Sequence, residues 1–320
     1  MSTSFICYTF KQKTFKESPL YWTATKNGAS VSVDSRLKFS NCAEIKVNAT
    51  GGTQVPMGLW ISASHGFPLI LHGVCTNPDI VCHTGLIDPS YTGELSIILA
   101  NSRHTECTVA PDDLTVFLLP FGHTTPVISD DCTVLKPPAY QDDAGFDLVL
   151  ETNVTIAPKT VHEITSDMSF LRGIDHGKYS PMLIGRSGLA CRGILIYPSK
   201  VQDGKASVKI INLTKEVVIL RGGTRFCQLI FVKKSHIPSI IHTLKTGQGS
   251  FLVKAPNISF LKVACPDETC PNSSKVDTFE FLANCPAVKG FSCAPPAGEQ
   301  SFPAPVCKIR HSKGFGSSGD

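Results

Sequence analysis

Residues 85–101 read GLIDPSYTGELSIILAN, and residues 193–212 read GILIYPSKVQDGKASVKIIN. Both strings run Leu-Ile-x-Pro-Ser-x, then Gly, then a strand pattern ending in Asn. The first holds Asp88 and Tyr91; the second holds Tyr197 and Lys200 in those places. The likeness extends further. From Asn101, sixteen residues lead to Phe117 in TVFLLPF, and from Asn212, sixteen lead to Gln228 in FCQLIFV. Spacing kept over such a length points to two homologous domains rather than a chance match of short strings.

The surrounding texture is that of a β protein. Runs rich in Val, Ile, Leu and Thr dominate: AEIKVNA, LTVFLLPF, FDLVLET, TVHEIT, VVILRG. Gly, Pro, Asn and Asp punctuate them at intervals of about eight to twelve residues, the rhythm of a sandwich or barrel. The imperfect alternation in ELSIILAN and ASVKIIN predicts strands buried partly on both faces. The fold expected is all-β, with one β domain over 1–135 and a second over 136–235. LKPPAYQDD (135–143) is the joint. Residues 236–320 form an extension whose Cys- and Pro-rich part, 265–307, reads as a surface insertion or loop. The extension ends in a Gly/Ser-rich tail.

Composition narrows the class. The chain has 320 residues, 42% hydrophobic and 18% charged, with a formal net charge of +4. That size is enough for two domains with real cores. No long Lys/Arg run marks a nucleic-acid partner, and no apolar run is long enough to span a membrane. The first residues carry no secretory pattern, so the 13 Cys are read mostly as reduced thiols, and the matches to glycosylation sequons as chance. Cys265, Cys270, Cys285, Cys293 and Cys307 cluster, but their gaps do not fit a paired zinc module.

Four further strings invite chemistry. Asp88-Pro-Ser-Tyr91 fits a type I turn and also sets a carboxylate and a phenol at one hairpin tip. Gly185-Arg-Ser-Gly-Leu-Ala190 is a Gly-containing turn whose amides, hydroxyl and guanidinium would cradle phosphate oxygens. AGFDL (144–148) places Asp147 at a strand start. RHSKGFGSSG (310–319) is a flexible tail in which Arg310, Ser317 and Ser318 would reach phosphates and Phe315 would cover a base.

Together these strings resemble the five motifs of the deoxyuridine triphosphatase (dUTPase) family. AGFDL resembles the first, GRSGLA the second, GLIDPSYTGEL the third, GGTRFCQLIF (222–231) the fourth and the tail the fifth. The third motif comes first along this chain, an order similar to the double-length, single-chain dUTPases of herpesviruses, the gammaherpesvirus group most of all. The resemblance implies two tandem dUTPase-like barrel or jelly-roll domains in a monomer with one site. It implies hydrolysis of dUTP to dUMP and pyrophosphate with Mg2+, limiting uracil in DNA and supplying dUMP for thymidylate synthesis.

Roles follow from the same resemblance. Asp88 would be the general base. The backbone of Gly85, Leu86 and Ile87 would read uracil, and Tyr91 would pack under the deoxyribose. Arg186, Ser187, Gly188 and Gln228 would hold phosphates, with Arg186 orienting either Asp88 or the substrate. Arg310, Phe315, Gly316, Ser317 and Ser318 would close over the nucleotide. Mg2+ would ride on the triphosphate, with Asp147 touching it through water. Gly185, Thr224, His311 and Lys313 depart from the family pattern. The placement implied is the host cell cytoplasm or nucleus, with no direct nucleic-acid or membrane binding. The competing readings are a catalytically silent scaffold that binds host or viral proteins, and a dCTP deaminase on a related fold.

Overall fold

A computed structural model describes residues 5–13, 20–22, 37–41, 43–63, 68–124, 132–138, 140, 143–168, 171, 175–237, 240, 244, 260–263 and 276–284. Its described elements are almost all strands, as the texture of short Val/Ile/Leu runs requires. A five-stranded sheet runs in the order 20–22, 37–41, 114–120, 69–75, 85–87, and a six-stranded one in the order 260–263, 276–284, 5–13, 52–63, 94–101, 80–82. In the C-terminal half eight strands join into one sheet, from Leu135–Lys136 through Gly145–Val149, Arg225–Lys233, Tyr179–Gly185, Ser199–Gln202 and Lys205–Asn212 to Val161–Asp167, with Ile194–Ile196 paired on Lys205–Asn212; Val154–Ile156 and Val218–Leu220 pair separately.

Period-two alternation explains how the halves meet. Successive side chains of a strand point to opposite faces. Val116 and Leu118 enter the N-terminal core with Leu95, Ile97 and Leu99. Their neighbours Phe117 and Leu119 point the other way, into a layer shared with Met182, Ile184, Ile230 and Val232 of the C-terminal half. Leu183, Leu229 and Phe231 in turn fill the C-terminal core. Ile98 and Ala100 do the same against Ala190, Leu195, Ile211 and Leu213. The near-continuous apolar runs are thus strands covered on both faces, as the sequence predicts. Phe117 is fully buried in the shared layer. Burying such a side chain stabilises by about 1.5–3 kcal/mol.

Polar groups fasten the same contact. The Lys233 N–H donates to the Gly122 carbonyl at 2.8 Å, and His123 bridges Val232. Lys159, in the left-handed region at φ 55°, donates Nζ to Asn101 O at 3.0 Å, Arg103 O at 3.0 Å and Leu213 O at 2.8 Å. One ammonium therefore satisfies carbonyls at the ends of both long strands.

The internal repeat is visible as repeated hydrogen bonding. Asn101 Nδ2 donates to Thr105 O and its Oδ1 accepts from Arg103 N; Asn212 Nδ2 donates to Glu216 O and its Oδ1 accepts from Thr214 N. Each Asn closes the turn after its strand, which is why both copies of the pattern end in that residue.

Strand register corrects one part of the sequence reading. Ile80 lies opposite Asn101, whereas Ile194 lies opposite Asn212. Leu71 lies opposite Gly85 and Leu118, whereas Leu183 lies opposite Ser199 and Leu229. Leu195-Ile196 therefore stands where Val81-Cys82 stands, and Ser199 where Gly85 stands. The matching Leu-Ile-x-Pro-Ser-x strings are not equivalent in space, so Tyr197 and Lys200 are not the counterparts of Asp88 and Tyr91. Continuing the register puts Gln202 at the place of Asp88. Nine steps lead from Gly85 to Glu94, against six from Ser199 to Lys205, so Tyr91 falls within extra residues that have no partner in the second half. There the hairpin closes tightly, with Asp203 at φ 51° and Gly204 at φ 70°, the signature of a type I′ turn.

A second correction concerns 265–307. Val276–Asn284 is a strand paired along its length with Phe5–Lys13, so this segment is not all surface loop. The clustered cysteines of that region lie outside the described residues, as does the whole tail motif. Replacing Lys159 by Met should lower stability to denaturant by about 1–3 kcal/mol, the cost of orphaned strand-end carbonyls. An unchanged midpoint in urea would show that Lys159 does not fasten the halves.

Candidate functional site

The difference between the two hairpins opens a cleft. In the C-terminal half, Ser199–Gln202 pairs with both Tyr179–Gly185 and Lys205–Asn212 and stitches them together. In the N-terminal half, among the described residues, Gly85–Ile87 pairs with Leu69–Cys75 alone and ends its sheet. The edge left open among the described residues and the extra residues after it border a cleft.

Both halves contribute to its wall. Gly85, Leu86, Ile87, Asp88 and Tyr91 come from the N-terminal hairpin; Gly185, Ser187 and Gln228 come from the C-terminal half. The structure thus gathers seven of the candidates named from sequence, Gly85, Leu86, Ile87, Asp88, Tyr91, Ser187 and Gln228, around one space. Gly188 lies one residue beyond Ser187 in the short helix Ser187–Cys191. Arg310, Phe315, Gly316, Ser317 and Ser318 lie outside the described residues.

AGFDL docks the hairpin. The Ala144 N–H donates to Asp88 Oδ1 at 2.9 Å, across the two halves. Asp88 is 3% exposed. A carboxylate buried this far costs several kcal/mol unless hydrogen-bonded, so the Ala144 amide both stabilises and aims it. A Cβ on Gly145 would lie 3.3 Å from Leu86 Cδ2, so the glycine lets the hairpin seat closely.

Tyr91 is a wall. Its Oη donates to the Glu94 carbonyl at 2.8 Å, and a Cβ on Gly93 would fall 2.4 Å from that oxygen. The ring therefore lies against Gly93 and is held at both ends. Burial, then the charge of Glu94, raises the phenol pKa. A fixed, protonated phenol suits packing rather than proton transfer.

Behind Ser187 and Gln228 sits a charge cluster. Asp147 lies opposite Gln228 in the sheet. Arg186 Nε is 3.1 Å from Asp147 Oδ1, and Arg225 Nη1 is 3.3 Å from Oδ2. The Arg186 contact is an ion pair off the hydrogen-bond direction, because Oδ1 is buried with no hydrogen bond of its own. Burial raises the Asp147 pKa, while the two guanidiniums oppose the rise. Arg186 also donates to Arg225 O at 3.3 Å. The pairing of Arg186 with Asp147 adds a role that the sequence reading did not foresee. Phe117, at the register place of Gln228, is sealed in the layer between the halves, so no polar counterpart lies there.

The structure also brings in His83, which the sequence reading did not single out. Its only signal is two residues of proximity to Gly85. It lines the cleft, is 4% exposed, and among the described residues has no hydrogen bond at Nδ1 or Nε2.

The cleft thus lies between the two halves, with a buried acid on one wall, a hydroxyl and an amide on the other, and a charge cluster behind them. A dUTPase family model matches residues 132–251. Three herpesvirus proteins named deoxyuridine 5'-triphosphate nucleotidohydrolase are similar over long stretches. That of Saimiriine herpesvirus 2 is 35% identical over 211 residues, covering 66% of this chain and 72% of the relative. That of Alcelaphine herpesvirus 1 is 32% identical over 226 residues, covering 71% and 73%. That of Human herpesvirus 8 is 30% identical over 291 residues, covering 89% and 90%. The chain belongs to the dUTPase family, and its relatives include those of gammaherpesviruses.

Two predictions test the geometry. Gly93→Ala should displace Tyr91 and cost about 1–3 kcal/mol of stability by overpacking, measured by chemical denaturation. An unperturbed midpoint would mean the ring is not wedged on Gly93. Burial also holds His72, His83 and His123 neutral, lowering each pKa from 6.5 to about 4, with His72 adding to the effect on His83. The unfolded chain takes up protons first as pH falls. Stability should thus be full above 6.5 and decline toward 4, by at most about 1.4 kcal/mol per pH unit for each histidine. Melting temperature measured across that window would stay flat if these rings were not buried neutral.

Proposed function

We propose that this chain hydrolyses dUTP to dUMP and pyrophosphate, limiting uracil in DNA. Family membership and the names borne by its relatives support the reaction class. The observation that carries the reading is the Asp88–Ala144 hydrogen bond: a buried acid from one half is aimed into a cleft whose far wall, Ser187 and Gln228, comes from the other.

The reaction needs a base, an anion cradle and a reader of the base. Asp88 accepts a proton from the attacking water. The water oxygen bonds to the α-phosphorus, the bond from that phosphorus to the bridging oxygen breaks, and pyrophosphate leaves with the electron pair. Ser187 Oγ, the amides around Gly188 and the Gln228 side chain hold phosphate oxygens, and Arg186 balances their charge while anchored on Asp147. Positioning and charge stabilisation supply most of the rate in such a site. The free edge of Gly85–Ile87 offers backbone donors and acceptors to uracil, and cytosine would leave some of them unpaired. Tyr91 closes the floor under the deoxyribose, where a 2′-hydroxyl has no room.

Among the described residues no group of three His, Cys, Asp or Glu is placed to hold a metal ion. The fit to Mg2+ is of another kind. Mg2+ keeps several waters and binds substrate phosphates with few protein ligands, and the Asp147 Oδ1 without a hydrogen bond suits a metal-bound water. When bound, the ion neutralises charge on the triphosphate. The tail residues Arg310, Phe315, Gly316, Ser317 and Ser318 are proposed to cover the bound nucleotide. Because one chain supplies both walls of the cleft, a monomer suffices for one site.

Asp88→Asn should lower kcat for pyrophosphate release from dUTP by about 10²–10⁴-fold, with KM changed far less. Equal kcat in the two proteins would remove Asp88 as the base, and no release by the native chain would favour a silent scaffold.

A further inference from the structure

His83 has a buried polar side chain that the mechanism above does not use. A neutral imidazole carries one donor and one acceptor, and leaving either buried and unpaired costs about 1–3 kcal/mol. Its neighbour His72 is half satisfied: Nδ1 shares a 2.8 Å hydrogen bond with Thr84 Oγ1, while Nε2 is buried without one. His83 has no such partner at either nitrogen, and its ring borders the cleft.

Its position is defined by two glycines. A Cβ on Gly85 would lie 3.7 Å from His83 Cδ2 and Nε2, and a Cβ on Gly185 would lie 3.1 Å from Cε1. The ring therefore spans from the base-reading strand to the residue that precedes Arg186 and Ser187. Gly185 gives it room, since a Cβ there would be tight against the ring, whereas one on Gly85 would stand at ordinary contact distance. Gly185 is one of the departures from the family pattern.

We propose that His83 is a substrate-binding, specificity-determining residue, which hydrogen-bonds the nucleoside part of a 2′-deoxyuridine nucleotide through a ring nitrogen. A nucleoside partner matches the site better than a phosphate. The imidazole is uncharged, since burial, and secondarily His72, lowers its pKa to about 4. Neutral donors and acceptors pair with base carbonyls, ring N–H groups and sugar hydroxyls, whereas phosphate oxygens are served by the charged and hydroxyl groups beyond Gly185. The inference rests on the hydrolase reading for the identity of the nucleotide.

Two measurements test it. His83→Phe keeps the ring volume and removes both nitrogens, and His83→Gln keeps a donor and an acceptor. The Phe variant should raise KM for dUTP about tenfold with kcat nearly unchanged, and weaken inhibition by dUMP about as much. Inhibition by pyrophosphate should stay as it was, and the Gln variant should recover part of the loss. Unchanged KM and dUMP inhibition in the Phe variant, or a loss confined to pyrophosphate, would overturn the proposal. The second measurement uses the unaltered chain with nitrogen-15 histidine. Saturating dUMP should move the ring-nitrogen resonances of His83 and leave those of His123 in place. No movement would overturn the proposal even where the Phe variant fails to fold. Because this readout requires no turnover, it also separates a wrong role for His83 from a chain that binds the nucleotide without hydrolysing it.

Discussion

The burial of the central strands on both faces is the constraint from which the rest follows. A strand such as Leu114–Pro120 sends alternate side chains into its own core and into the other half. Neither half is then a finished object. Separating them would leave Phe117 and Leu119 of one half and Ile184 and Ile230 of the other facing water. At about 25 cal/mol per Å2 of apolar surface, that exposure would outweigh most single contacts in the molecule. The shared layer holds the halves in one arrangement, and only a fixed arrangement lets the Ala144 amide meet the Asp88 carboxylate.

Unequal hairpins in the two halves then shape the cleft. In the C-terminal half the two-residue turn at Asp203-Gly204 lets a strand pair on both its edges. In the N-terminal half the longer Asp88–Gly93 excursion leaves one edge unpaired among the described residues and projects an acid and a phenol beside it. The place of Gln228 is taken in the other half by Phe117, where a polar group would be dehydrated without a partner. One half supplies Asp88 and Tyr91 to the cleft, and the other supplies Ser187 and Gln228.

Much of this was legible in the residues. The paired Asn101 and Asn212, the spacing to Phe117 and Gln228, and the apolar runs all reported structure because local hydrogen bonding and strand alternation are short-range. The likeness of Leu86-Ile87 to Leu195-Ile196 misled, because register is set by partners elsewhere in the chain and a string match does not carry it. The role of AGFDL was obscure for a related reason. Its amide and its missing Cβ act on a hairpin far away in sequence. His83 was silent because an unpaired buried imidazole is defined by what surrounds it, and Arg225 because its carboxylate partner sits on the neighbouring strand. The pairing of Val276–Asn284 with Phe5–Lys13 joins segments from opposite ends of the chain, beyond the reach of local pattern.

The hydrogen bond from Ala144 to Asp88 also orders events during synthesis. The hairpin leaves the ribosome early and carries the acid with it, while the amide that aims that acid and the glutamine that faces it emerge only with later portions. A nascent chain halted between the two would hold every atom of the hairpin and yet no assembled cleft. Arrival of the C-terminal half is therefore the moment at which the cleft is assembled.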